Sequence, residues 1–385
     1  MRFVPVYFDN AATTFPKPEV VYRSMDEFMR NIGVSSGRGA YHQALAADEV
    51  VFNARSALGK LFGVPDVERI VLTANVTEAL NLAMKGWLRR GDHVITTSME
   101  HNAVWRCLKR LEKERGVAVT AVPCSTDGTL DPRDVEKALR TTTRLIVMLH
   151  ASNVTGTIMP VKEVGQIASN HGIPLLLDAA QTAGILPIDV MDLGVDMLAF
   201  TGHKGLLGPT GTGGLFIRTG LMLEPLKEGG TGGDSVLEYQ PEQLPDKFEA
   251  GTQNVVGLAG LGAAVRFLLD EGVDVIRQRE QQLTRYTLQR LAEIEEIRIY
   301  GPKDPFRQVG VVSFNVADVA PEEVAYVLDE VYGIMVRAGL HCAPLAHRTI
   351  GTIERGAVRI GLGYFNTEEE VNELMEALHA IVAKD

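Results

Sequence analysis

From about residue 68 onward, short apolar runs alternate with amphipathic stretches at a regular interval, and this alternation decides the fold class. Strand-like runs occupy 69–73, 93–97, 117–123, 144–149, 173–178, 197–200 and 214–218. Helical patterns fall between them at 76–88, 102–115, after Asp131, and at 161–170. Continuously apolar strands separated by helices predict an α/β fold, with a mostly parallel seven-stranded sheet covered on both faces. Two helical patterns precede it, 19–31 and 44–62, joined by the glycine- and serine-rich loop 33–39. Gly and Ser also mark ordinary turns, so that loop alone says little about phosphate.

After Arg218 the texture changes. Residues 226–254 carry Gly and Pro without a period and are long for a plain connection, as functional loops often are. Helical patterns follow at 255–269 and 273–295, the second heavily charged and expected to face solvent. The end reads as a smaller α+β domain, with strands at 309–316 and 357–360 and helices at 321–331 and 367–383. The expected division is an N-terminal arm (1–15), a large domain (16–262) and a small C-terminal domain (263–385), the arm packing on the small domain. A chain of 385 residues exceeds what one core organises.

Composition narrows the function. Forty-nine acidic against 38 basic residues leave a net charge of −11, which argues against nucleic acid or an anionic membrane as the main partner. No run of 18 uncharged apolar residues occurs, so no spanning helix is expected. Residues 1–9 lack a signal-peptide pattern, so the cytoplasm is the expected compartment. Cys107, Cys124 and Cys342 are odd in number and widely spaced, fitting neither a disulfide framework nor a Cys-x-x-Cys metal site. No metal is expected.

The chemistry gathers where the strands end. In open α/β sheets ligands collect at the carboxyl ends of strands. The run 173–178 ends on Asp178 with Gln181 just beyond, and 197–200 leads into Thr201-Gly-His203-Lys204. An acid and a lysine delivered together to one sheet edge are what a pyridoxal phosphate site requires, the lysine for the Schiff base and the acid for the pyridinium nitrogen. Other strand ends supply Asn75-Val76-Thr77-Glu78, Met99-Glu-His101-Asn102 and His150-Ala-Ser-Asn153. Asn75 and Glu78 have capping-box spacing, so the N–H groups of Val76 and Thr77, with the Thr77 hydroxyl, would face an anion. A histidine opening a helix, as His101 does, is placed to lie over a ring or move protons. A nucleotide phosphate loop at 205–214 fails because no Gly-Lys-Ser/Thr follows the glycines.

These stretches, with Phe8-Asp-Asn-Ala-Ala-Thr-Thr14, Phe248-Glu-Ala-Gly-Thr252, Arg337-Ala-Gly-Leu-His-Cys-Ala343 and Val358-Arg-Ile-Gly361, resemble the class V aminotransferase family of fold type I pyridoxal phosphate enzymes over nearly the whole chain. Within it they are most similar to the cysteine desulfurase and selenocysteine lyase group. The resemblance implies that Lys204 carries the cofactor, Asp178 pairs with its ring nitrogen and His101 stacks on its face. It implies Gln181 and Asn153 near the phenolic oxygen, and Val76, Thr77, Thr201 and His203 around the phosphate, with Thr252 reaching in from the neighbouring subunit of a homodimer. Arg359 would bind the substrate carboxylate through a bidentate pair with Arg337 close by, Asn153 would also contact the substrate, and Cys342 would take sulfur from L-cysteine as a persulfide, releasing L-alanine. His341 and the arginines are candidates to activate that thiol. Catalytic roles thus fall to Lys204, Cys342 and His101.

The competing expectations are a selenocysteine lyase acting on L-selenocysteine, another class V lyase or aminotransferase, and a non-catalytic sulfur carrier. A protein sulfur acceptor is an expected partner. Residues 344–356 depart from the group's pattern.

Overall fold

The computed structural model of the protein describes residues 5–37, 39–232 and 236–383. Arg38, within the glycine- and serine-rich loop, thus lies outside the described residues, as do 233–235 in the long connection and the two extreme ends. The fold is α/β. Its central sheet has seven strands in the spatial order Ile70–Thr73, Gly213–Ile217, Met197–Thr201, Leu175–Asp178, Thr143–Leu149, His93–Thr97, Ala118–Val122. Six strands point the same way. Gly213–Ile217 runs antiparallel to both its neighbours. The segment 202–212 joining it to Met197–Thr201 contains no helix, and without a helical crossover a chain returns antiparallel.

Strand alternation explains how both faces are covered. Leu175 and Leu177 enter one apolar cluster, with Phe62, Leu198 and Phe200. Leu176 enters the other, with Leu80, Met84, Val94 and Met197. Successive side chains leave opposite faces, so a wholly apolar strand needs helices on each side. His42–Phe62 and Val255–Glu271 pack in the first cluster; Val76–Trp87 and Asn102–Arg115 pack in the second.

A four-stranded antiparallel sheet, ordered Arg337–Gly339, Ala357–Gly361, Val311–Val316, Ile297–Tyr300, has its own core around Phe314, Val358 and Leu374. Its two edge strands, three and four residues long, carry no continuous apolar run like those of the central sheet. The charged helix Val273–Ala292 does not simply face solvent: Ile276, Leu283, Leu288 and Leu291 are buried, and so is Arg277, paired with Glu280. Helix Val255–Glu271 spans residues 262 and 263 and packs Val265 and Leu268 into the large core.

The N-terminal arm ties the two sheets together. Val6–Tyr7 pairs in parallel with Ile334–Met335. The Asn10 side-chain amide donates to the Gly361 carbonyl (2.9 Å), and the Thr14 hydroxyl donates to the Lys204 carbonyl (2.7 Å). Among the described residues, no helix is long and apolar enough to cross a membrane.

Candidate active site

Asp178 and Lys204 follow from adjacent strands. Leu176–Asp178 registers with Met197–Ala199, so the loop after Met197–Thr201 leaves the sheet beside Asp178. Asp178 is buried, and its Oδ1 accepts the Ala180 N–H at 2.9 Å. Burial pushes its pKa up, while that N–H and Lys204 pull it down. Lys204 is half-buried; burial lowers its pKa to about 8, against the pull of Asp178. Its Nζ makes no hydrogen bond or ion pair with any described residue. A buried carboxylate and an uncommitted amine near neutrality thus share one sheet edge.

Strand Ile70–Thr73, separated from Met197–Thr201 by Gly213–Ile217, ends on the opening of a helix. Asn75 caps helix Val76–Trp87 by accepting the Glu78 N–H (3.0 Å). The return half of the expected capping box shifts by one residue, because Glu78 Oε2 accepts the Ala74 N–H (2.8 Å). Val76 and Thr77 keep first-turn N–H groups that no intrahelical carbonyl can reach. Gly213 is required beside this cap: a Cβ there would stand 2.8 Å from the Asn75 backbone and 2.7 Å from the Phe200 carbonyl. In the loop after Met197–Thr201, His203 Nδ1 is buried without a partner, and burial lowers the ring's pKa to about 4, so it is neutral. Thr201 is buried, with its hydroxyl 3.4 Å from the Thr212 carbonyl. Thr252 is exposed and lines a cleft of about 170 Å³ with Ala74, Glu78 and Asn254, flanking the cap of its own chain.

His101 is the N-cap of Asn102–Arg115; its Nδ1 accepts the Ala103 N–H at 3.0 Å. That bond leaves the proton on Nε2. Burial first, then Lys204, lowers its pKa to about 4, so the ring is a neutral plate. Beside it Glu100, absent from the sequence reading as a functional group, is fully buried. Its Oε1 accepts from the Thr97 hydroxyl (2.7 Å) and the Leu149 N–H (3.2 Å). Burial raises its pKa to about 8, and it links the ends of His93–Thr97 and Thr143–Leu149. Asn153 donates to the His341 carbonyl (2.8 Å) and keeps a buried Oδ1 with no partner. Gln181 donates to the Ala11 carbonyl (3.0 Å).

Cys342 is exposed, and it and His341 both have positive φ, 56° and 48°. Two consecutive non-glycine residues in this region cost roughly 1–2 kcal/mol each, and bonds from distant segments offset that strain. The Asn153 amide holds the His341 carbonyl, and the Asn102 N–H holds the Cys342 carbonyl (2.8 Å). His341 is not the thiol's base. Its Nδ1 lies 3.2 Å from His347 Nε2, its Nε2 faces the Arg337 carbonyl, and His347 Nδ1 meets the Thr352 hydroxyl at 2.7 Å. Burial drives its pKa to about 2. Both ring nitrogens are committed, so it buttresses the turn.

The divergent segment 344–356 supplies His347 and Thr352 through the short helix Pro344–Thr349 and the loop beyond. No local pattern marks them, because their partner is fixed only in three dimensions. Cys107 and Cys124 are buried and half-buried, with pKa values pushed up to about 11 by burial, consistent with inert thiols.

Arg359 is buried on strand Ala357–Gly361, opposite the exposed Arg337. Its Nη1 donates to the Asn153 carbonyl (3.0 Å) and its Nη2 to Asp9 Oδ1 (2.7 Å). Asp9, from the arm, was not singled out by the sequence.

Pyridoxal phosphate fits these groups. Asp178 lacks a cation within ion-pair distance among the described residues, Lys204 lacks a carboxylate, and Asn153 Oδ1 and His203 Nδ1 are buried without partners. Native proteins rarely leave such atoms unmatched.

The family model for class V aminotransferases matches residues 6–374. The chain is 40% identical to a probable cysteine desulfurase of Methanothermobacter thermautotrophicus, across 98% of this chain and 94% of that one. It is 34% identical to a cysteine desulfurase of Haloferax volcanii, across 97% and 89%. Among solved structures it is similar to the apo cysteine desulfurase of Thermococcus onnurineus NA1, with a TM-score of 0.94, 35% identity, and 99% and 95% of the two chains covered. A cysteine desulfurase of Escherichia coli in an S-sulfonic acid form matches with a TM-score of 0.89 at 28% identity, covering 99% and 95%.

Proposed function

The chain belongs to the class V aminotransferase family, and from that premise we propose that it is a pyridoxal phosphate-dependent cysteine desulfurase converting L-cysteine to L-alanine. The observation that carries this reading is the docking of the Cys342 turn onto the polar sheet edge through Asn153 and Asn102, beside the Asp178–Lys204 pair.

Lys204 would hold the cofactor covalently, Asp178 its ring nitrogen, and Val76, Thr77, Thr201 and His203 its phosphate. His101 would lie against the ring, with Asn153 and Gln181 toward the phenolic oxygen. When bound, the cofactor supplies an electron sink for the substrate's α-carbon. Lys204, with its lowered pKa, serves as a neutral base at Nζ and moves the α-proton. Arg359 orients the substrate carboxylate, with Arg337 close by and Asn153 fixing the guanidinium. The Cys342 thiolate attacks the substrate sulfur; the S–S bond forms as the Cβ–S bond breaks, and the electron pair left on carbon ends as a C–H bond of alanine. The persulfide stays on Cys342, whose exposure lets a protein acceptor reach it.

The active unit is a homodimer in which the exposed Thr252 reaches the partner's phosphate site, and the compartment is the cytoplasm. The chain divides into an N-terminal arm (1–15), a large domain (16–262) and a small C-terminal domain (263–385).

The test is a Cys342→Ser variant supplied with L-cysteine. It keeps its yellow colour and makes neither sulfide nor persulfide, whereas a transaminase would be indifferent to the change. Sulfide release at the parent rate would remove Cys342 from the reaction.

A further inference from the structure

Arg359 is 2% exposed, and a guanidinium that deep needs an anion beside it. Its donors are unequally used. Nη1–H goes to the Asn153 carbonyl and Nη2–H to Asp9 Oδ1 at 2.7 Å, while Nε–H is buried and bonds nothing. A carboxylate meeting a guanidinium side-on takes Nε–H and Nη2–H together through two oxygens. Asp9 places one oxygen on one of these donors and leaves the other open.

The arm cannot shift to improve the fit. The Gly361 N–H donates to the Phe8 carbonyl (2.6 Å) and the Asn10 N–H to the Gly361 carbonyl (3.3 Å), so the backbone around Asp9 is stapled two residues from Arg359. The Tyr7 hydroxyl and the Ala12 N–H hold the Asp9 carbonyl. Only side-chain rotation moves the carboxylate, and that side chain is 21% exposed against 2% for Arg359. One partner is locked and the other is free to turn toward water.

We propose that Asp9 is a resident stand-in for the substrate's α-carboxylate, neutralising Arg359 in the resting enzyme and ceding the Nε/Nη2 edge when the amino acid arrives. The inference rests on the reading of Arg359 as the carboxylate site. Asp9 touches no reacting atom; it is a positioning residue that sets substrate affinity through Arg359. Two anions compete for one cation, so a weaker hold by Asp9 means a stronger hold on the substrate.

Asp9→Asn keeps the shape and removes the charge. Its KM for L-cysteine falls about threefold to tenfold, with a smaller change in kcat. Asp9→Glu adds one methylene and brings a carboxylate within reach of both donors, so its KM rises by a similar factor. Propionate, a carboxylate without the amine, reports the same order in calorimetry of the holoenzyme, binding tightest to Asp9→Asn and weakest to Asp9→Glu. A purely structural role would lower the thermal midpoint of both variants without ordering KM or propionate affinity.

An unchanged or raised KM in a folded Asp9→Asn variant overturns the inference. Should that variant not fold, an unchanged KM in Asp9→Glu does the same. Arg359→Lys separates the premise from the inference. If it leaves KM and propionate binding untouched, the carboxylate assignment itself fails; if it weakens both while the Asp9 variants stay at parent values, only the role of Asp9 falls.

Discussion

Lys204 and Asp178 stand at the ends of neighbouring buried strands, whereas Cys342 stands on an irregular turn just past the short edge strand Arg337–Gly339. The first pair is held by sheet register and by apolar packing on both faces. The second is held by hydrogen bonds from two segments remote in the chain, Asn102 and Asn153, and by the nearby His347 and Thr352. The difference separates tolerance from precision. A strand end survives most changes near it because many contacts share the load. A turn with two strained residues depends on a few polar atoms, and losing one leaves a buried group unpaired.

Substitutions break the comparison in a graded way. Asp178→Asn strikes the strand-held region and removes the charge that would keep the ring nitrogen protonated. The rate of alanine formation drops about 100- to 1000-fold, while circular dichroism stays unchanged because the isostere still packs.

The pH response of Lys204 sharpens the same region. Burial sets its folded-state pKa near 8, below the unfolded 10.5. The folded chain therefore holds fewer protons across that window, and the contribution of this group to stability rises with pH from about 8 to 10.5. In cofactor-free protein the neutral amine appears from about pH 8. Reductive methylation read by mass spectrometry at that pH therefore labels Lys204 about 100-fold faster than an unshifted lysine of equal access. Lys17, also lowered to about 8 by burial, is resolved as a separate peptide.

His347→Ala strikes the other region. Freeing His341 Nδ1 loosens the Cys342 turn, so persulfide formation on Cys342 slows about tenfold. The cofactor absorption and Lys204 labelling stay as in the parent. Equal losses in both readouts would mean that the two regions are not separately held. Asn75→Ala is the smallest change. Loss of the cap costs about 1 kcal/mol and lowers cofactor affinity a fewfold, measured by cofactor dissociation under dialysis.

Local pattern carried the large sheet a long way. Helices Glu19–Asn31, Asn102–Arg115 and Val161–Asn170 fall where their periodicity predicts. The strand ends bearing Asp178 and Lys204 were legible because an apolar run that stops on a charge marks a sheet edge. Strands Ile297–Tyr300 and Arg337–Gly339 were not legible, because charged residues interrupt them and neither is a continuous apolar run. Nor were the buried faces of Val273–Ala292, whose many charges mask a narrow apolar stripe.

The amino-acid sequence by itself determined the fold class, the placing of an acid and a lysine at neighbouring strand ends, and the family, since each is written in short stretches of local pattern. Tertiary structure alone decided that Asp9 sits on Arg359, that His341 is a buttress instead of a base, and that Glu100 links two strand ends from within. Those roles depend on which distant atoms meet and how much water is excluded where they do. Burial and the geometry of non-local hydrogen bonds have no local spelling.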